Sequence, residues 1–253
     1  MNAVPRVGLM LYTVRDECAR DLAGVLQTVA ALGYDGVELF DLHGHDPALV
    51  RSWLDEHGLV AAGRHAGLDA LEQNLPALAA ELGVLGTDRI ALSWIDPPER
   101  AADARAVVAR IAAIALRAQE LGLRLGFHNH WGELAPLEDG VTTLDLLCAL
   151  PPELLWLELD LAWVWEAGAD PVALLERLAG RCPLVHVKDL RSRGTHAFCP
   201  VGDGAVGYER VLPAALQAGV EWLIVEQDEV DGPPFEAVER SLQTVRRALP
   251  VAA

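Results

Sequence analysis

Two apolar patterns alternate along the chain. Segments with helical spacing stop at a glycine, and within a few residues a short run rich in leucine and β-branched residues begins. This happens at Gly33 before DGVELF, Gly58 before LVAAGRH and Gly83 shortly before DRIALSW. It recurs at Gly122 before LRLGFHNH, Gly180 before CPLVHVKD and Gly219 before VEWLIVEQD. A glycine just past a helix takes the left-handed conformation that closes the last turn. Asp46-Pro47, Asp96-Pro97 and Asp170-Pro171 read as helix starts, with Asp as cap and Pro at the first helical position.

With VGLMLY near the start and LLWLELD after Pro151-Pro152, eight strands are predicted, ending near Tyr12, Phe40, His65, Trp94, His130, Asp160, Lys188 and Asp228. Seven helical segments separate them, and an eighth follows from about Pro234 to Leu249. Strict alternation implies parallel strands joined by crossover helices. Eight such units in 253 residues predict an α/β fold, one (β/α)8 TIM barrel over residues 1–253. An open doubly wound sheet is the alternative. It lacks a G-x-G-x-x-G turn after the first strand, where the chain reads TVRDE.

Strands of a parallel barrel are covered on both sides, so charge within them is costly without a partner. Here the polar residues gather where strands finish, in VELF, GRH, HNHWGE, ELD, HVKD and VEQD. In barrel enzymes those C-terminal ends form the active face. A single His or Glu at such a place is usually capped or solvated; a collection on successive strands points to a shared pocket. Alternation puts Trp156, Glu158 and Asp160 on one face, then Leu184, His186 and Lys188, then Ile224, Glu226 and Asp228. Asp160, His186 and Glu226 would then meet as a carboxylate and imidazole set suited to Mn²⁺, Mg²⁺, Co²⁺ or Zn²⁺.

Composition narrows the partners. A hydrophobic share of 52% against 23% charged residues supplies a large core and no disorder signature. A net charge of −17 disfavours nucleic acid and anionic membranes. No run approaches the roughly 20 apolar residues of a membrane span, and the N-terminus carries no export pattern. Cys18, Cys148, Cys182 and Cys199 form no C-x-x-C pair and are expected as reduced thiols in the cytoplasm. The expected partner is a small sugar-like molecule; a homo-oligomer is compatible with this surface.

The phrases FHNHWGE, LDLAWVWEAGADP, HVKDL followed by VGDG, and VEQD resemble the xylose isomerase-like barrel superfamily of sugar phosphate isomerases and epimerases, in order over the whole chain and most clearly from Phe127 to Asp228. The resemblance implies a divalent metal, Mn²⁺ foremost, held by Glu, Asp, His and Glu from the fifth to eighth strands. Asp160, His186 and Glu226 match the last three. At the first position stands His128, and the nearest carboxylate is Glu133. Either His128 ligates or the loop brings in Glu133, and the need of a hard cation for anions favours Glu133.

That implies isomerisation or epimerisation of a keto sugar, with proton removal beside a carbonyl polarised by the metal. Glu226 and Glu133 become the proton-transfer pair, while His128 and His130 orient substrate. Lys188, the only lysine in the chain, would steady an enolate oxygen, or simply pair with Asp160 or Asp189. Glu38 and His65 could bind hydroxyls. Trp131, with Trp94, Trp163 and Trp165, could pack on a sugar face. Pro200 to Gly204 is a candidate lid or phosphate loop, although Asp203 would repel phosphate; Arg191 and Arg193 keep a phosphorylated substrate open. The rival reading is a lyase or dehydratase on a keto-inositol or 3-keto-glycoside, which the HNH form of the fifth strand resembles. A repair nuclease on the same barrel would need a basic groove.

Overall fold

The structure is a computed structural model that describes residues 4–250. Eight parallel strands close into a barrel: Arg6–Met10, Gly36–Leu39, Val60–Ala66, Arg89–Leu92, Arg124–His128, Trp156–Asp160, Leu184–Val187 and Trp222–Val225, each beside its neighbour in sequence and the eighth paired with the first. They are called here the first to eighth strands. Helices cover the outside, and the leucine and valine side chains that face outward from the strands pack beneath them. Each such fully buried side chain contributes about 1.5–3 kcal/mol.

The barrel interior is filled at its N-terminal end. Trp156, Leu184, Trp222 and Ile224 point inward together with Met10, Ala62 and Ala91. Two indoles fit because glycines stand against them. A Cβ on Gly126 would lie 2.3 Å from Trp156 Cε2, and one on Gly36 would lie 2.8 Å from Trp222 Cη2. The floor is therefore apolar and dense, and the layers above it carry the chemistry.

The predicted fold holds in class, while its punctuation differs in detail. Most strands stop one to three residues before the predicted ends, because the polar residues that follow them turn into loops: Leu11–Val14 is already a 3-10 turn. The third helix, Leu68–Leu85, runs through Gly83 and is closed by Gly86 at φ 81°. Asp46 and Asp170 cap their helices through Ala48 and Val172. Asp96-Pro97 does not start one; the fourth helix begins at Ala101. Two short helices, Leu161–Glu166 and Pro171–Arg177, replace the single crossover expected after the sixth strand. A small antiparallel hairpin, Asp189–Leu190 with Phe198–Cys199, was not foreseen. Among the described residues no helix is long and apolar enough to cross a membrane.

Candidate metal centre and active site

The sixth strand sets the depth scale of the site. Alternation puts Trp156 on the floor, Glu158 above it and Asp160 at the rim, each facing the interior. The seventh and eighth strands do the same with Leu184 then His186, and Ile224 then Glu226. Asp160 is held at both ends. Its amide donates to Asn129 Oδ1 (3.1 Å), and its Oδ1 accepts from the Ala162 and Trp163 amides (3.0 and 2.9 Å) as the cap of the following helix. That leaves Oδ2 directed into the barrel.

At the rim, ligand atoms of His128, Asp160, His186 and Glu226 all lie within 4.8 Å of one another, and all four residues are buried. His186 Nδ1 is 2.8 Å from Glu226 Oε2, and its Nε2 is 2.7 Å from Glu38 Oε2. A carboxylate behind a metal-binding imidazole fixes the ring and raises its basicity, and Glu38 stands in that position. Lys188 reaches into the same group: its ammonium lies 3.0 Å from Asp160, 2.8 Å from Glu226 and 2.7 Å from Asp228. Tyr208 fixes the Lys188 backbone by accepting from its amide and donating to its carbonyl.

Electrostatics follow from this packing. Burial opposes ionisation of Glu226, yet Lys188 and His186 outweigh it and hold the carboxyl well below its usual range. Burial likewise opposes charge on Lys188, but Asp160, Asp228 and Glu226 keep its ammonium protonated far above the usual lysine range. His130 is pushed down to about 3 by burial and then by Lys188, so it is a neutral imidazole. Asp228 is pushed up to about 6 by burial, in spite of Lys188.

One layer deeper lie Glu38, His65 and Glu158. His65 Nε2 is 2.6 Å from Glu158 Oε2 and 3.5 Å from Glu38 Oε2. Burial, followed by the neighbouring Glu158, pushes Glu38 up to about 7. Above both layers opens a cavity of about 720 Å³, lined by Tyr12, Phe40, His65, Trp94, His128 and His130 among others, with Lys188, Glu226 and Asp228 at its base.

Several expected site residues stand elsewhere. Glu133 is in neither cluster of ligand atoms: its Oε2 accepts from the His130 amide at 2.8 Å, so the carboxylate braces the HNH turn and the fifth strand offers His128 instead. Glu38 is fully buried, with its Oε2 against His186 Nε2, and does not line the cavity. Trp131 packs against Trp163 and His196, with centroids at 4.7 and 4.8 Å, and does not line the cavity. The Pro200 to Gly204 segment has no free amides for phosphate. Asp189 takes those of Gly202 and Gly204 on Oδ2, and those of Leu190 and Val206 on Oδ1. Asn129, inside HNH, and Tyr208 were passed over in the sequence because each acts on backbone, and Asp189, weighed only as a partner for Lys188, turns to the glycine loop instead.

The donor set fits a divalent ion. Asp160, Glu226 and Asp228 surround Lys188, the one ammonium of the site, while Glu38 and Glu158 lie a layer deeper against His65. Buried, uncompensated anions of this number are costly unless a cation joins them. Asp160 Oδ2, although near Lys188, accepts no well-directed hydrogen bond, and the same holds for buried Glu158 Oε1 and His128 Nδ1.

The sequence profile described as xylose isomerase-like TIM barrel matches residues 26–248. The chain belongs to that family. Among curated family relatives, the inosose dehydratase of Geobacillus kaustophilus is 25% identical, with 88% of this chain and 86% of that protein aligned. A rhizopine catabolism protein of Rhizobium meliloti is 28% identical over 81% and 74%. Among solved structures, a sugar phosphate isomerase/epimerase from Parabacteroides distasonis superposes with a TM-score of 0.84 at 18% identity, over 94% and 97% of the two chains. A D-allulose 3-epimerase from Methylomonas sp. gives 0.72 at 16%, over 97% and 98%. Both superpositions speak for the fold.

Proposed function

We propose that the protein is a divalent-metal-dependent lyase that dehydrates a small cyclic keto-polyol by proton abstraction beside its carbonyl. The observation that carries this reading is the place of Glu133. An epimerase of the expected kind needs two carboxylates on opposite faces of the substrate, and here the second is turned onto the His130 amide. The extended similarity to inosose dehydratases points the same way.

Asp160, His186 and Glu226 would hold the ion, with His128 beside them. A bound divalent ion supplies Lewis acidity to a ketone and its neighbouring hydroxyl. Glu226, kept ionised by Lys188 and His186, takes the proton from the carbon next to the carbonyl. Lys188 presents a permanent ammonium to the oxygen on which negative charge grows. Expulsion of the β-hydroxyl requires a proton, for which Asp228, pushed up to about 6 and on the cavity wall, is the nearest acid. Water leaves and an unsaturated ketone remains.

Isomerisation or epimerisation is the second reading. It is favoured by Asp228, which lines the cavity beside Glu226 and, pushed up to about 6, can return a proton to carbon instead of to the β-hydroxyl. Protein reloaded with Mn²⁺ and given an inosose in deuterated water separates the two. Elimination yields a conjugated ketone with its ultraviolet band. Deuterium entering unaltered substrate, or its epimer, without that band marks the second reading. Neither outcome across a panel of inososes and ketoses refutes both.

A further inference from the structure

The rings of His128 and His186 each face two ways. His186 turns Nδ1 to Glu226 at the rim and Nε2 to Glu38 and Glu158 below, at 2.7 and 3.6 Å. His128 turns Nε2 toward Asp160 at 4.0 Å and Nδ1 toward Glu158 at 3.5 Å. Beneath the rim cluster there is accordingly a second one, in which ligand atoms of His65, His128, Glu158 and His186 lie within 4.8 Å of one another. Its members are nearly or wholly inaccessible, from 0% for Glu158 and His186 to 7% for His65.

We infer that the barrel carries a second, inner divalent-cation site formed by His65, His128 and Glu158, with Glu38 on its flank. The rim ion then keeps Asp160, Glu226 and the Nδ1 of His186, while His128 serves the inner ion through Nδ1. This division lets both ions bind without any imidazole having to lose its second proton. It also gives His186 Nε2–H a natural acceptor in Glu38.

Two independent observations support the inner site. Glu38 Oε1, Glu158 Oε1 and His128 Nδ1 are all buried without a hydrogen-bond partner, at a place where native structures leave few such atoms. In addition, Glu38 and Glu158 bring two buried carboxyl groups to this depth, 3.5 and 2.6 Å from His65 Nε2, and among the described residues neither has a lysine or arginine partner. Mixed imidazole and carboxylate donors suit Zn²⁺ or Co²⁺, and burial encloses this set where the rim retains an open side for substrate. The inner ion would fix the imidazoles and the depth of the rim site without touching substrate.

The test is metal stoichiometry, which does not depend on any assumed reaction. Chelator-stripped protein is reloaded with Co²⁺, separated from free metal, and analysed for ions per chain by mass spectrometry, with calorimetric titration alongside. Two ions per chain are expected in the wild type. Glu158→Gln and His65→Asn should each keep one, as should Asp160→Asn combined with Glu226→Gln. The inner ion, closed in by nitrogen and oxygen donors, should give the stronger visible absorption, which the Glu158 and His65 variants lose. Saturation of the wild type at one ion overturns the inference, and this needs no variant to fold. If that ion is lost only with Asp160 and Glu226, the rim site and the proposed function stand. If it is lost only with His65 and Glu158, the proposed rim chemistry falls as well.

Discussion

Lys188→Met is the most informative single perturbation of the rim. The ammonium is almost wholly buried and lies 2.7 to 3.0 Å from three carboxylates. Methionine preserves the length of the side chain against Trp163 and Phe198 but leaves those acids without their counter-ion. Removing one partner from a buried ion cluster costs roughly 3–5 kcal/mol. For a chain of this size each kcal/mol lowers the midpoint by about 2–4 °C, so metal-free variant should melt roughly 6–20 °C below wild type at pH 7.5. The pH dependence has a definite sign. Lys188 holds the folded-state pKa of Glu226 below its unfolded value, so this stabilisation exists above the usual carboxylate range and fades as the pH falls through the folded value. In the variant, burial without a counter-ion raises the same carboxyls, and acid then relieves them. The gap between the two proteins should narrow markedly at pH 4. Circular dichroism melts in a chelator at both pH values measure it. A difference under 3 °C at pH 7.5, or a gap undiminished at pH 4, would show that the lysine is not the counter-ion of this cluster.

Two further variants probe the site and its base. Glu133→Gln keeps an oxygen for the His130 amide, so ion content should equal that of wild type, with turnover reduced less than about tenfold; an emptied rim site would make Glu133 a ligand after all. Gly126→Ala forces a methyl against Trp156, whose Nε1 is tied to the Arg124 carbonyl at 3.1 Å. Urea unfolding should report a loss near the upper end of the roughly 1–3 kcal/mol typical of overpacking. The loss should shrink in a Trp156→Leu background, and equal losses in both backgrounds would contradict a steric cause.

The barrel was readable because its punctuation is chemical. Five of the six expected helix-ending glycines and two Asp-Pro starts mark the units, and only a repeated β-α rhythm accounts for them. Asp160, His186 and Glu226 were readable because period-2 alternation on adjacent strands needs no knowledge of neighbours. Depth was not. The pairing of the second and third strands slips by one residue between Val37 and Glu38, where Glu38 comes to face Gly63 and sinks behind His186. No local pattern in VELF announces that. Glu133 was misplaced for a related reason: a carboxylate three residues past an imidazole turn can equally well serve that turn's own amide. The match of Trp156 to Gly126 joins residues thirty positions apart, and the Asp189 cradle for Gly202 and Gly204 requires a hairpin that two-residue strands cannot signal.

The indole floor has a consequence for traffic. With Trp156 and Trp222 plugging the far end of the ring, the polar layers open toward the cavity lined by His65, His128, Lys188 and Asp228. The barrel thus behaves as a flask with one neck. Whatever occupies the neck governs exchange at the bottom: a seated substrate corks the vessel, and stripping agents should draw metal from it far more slowly than from the empty protein.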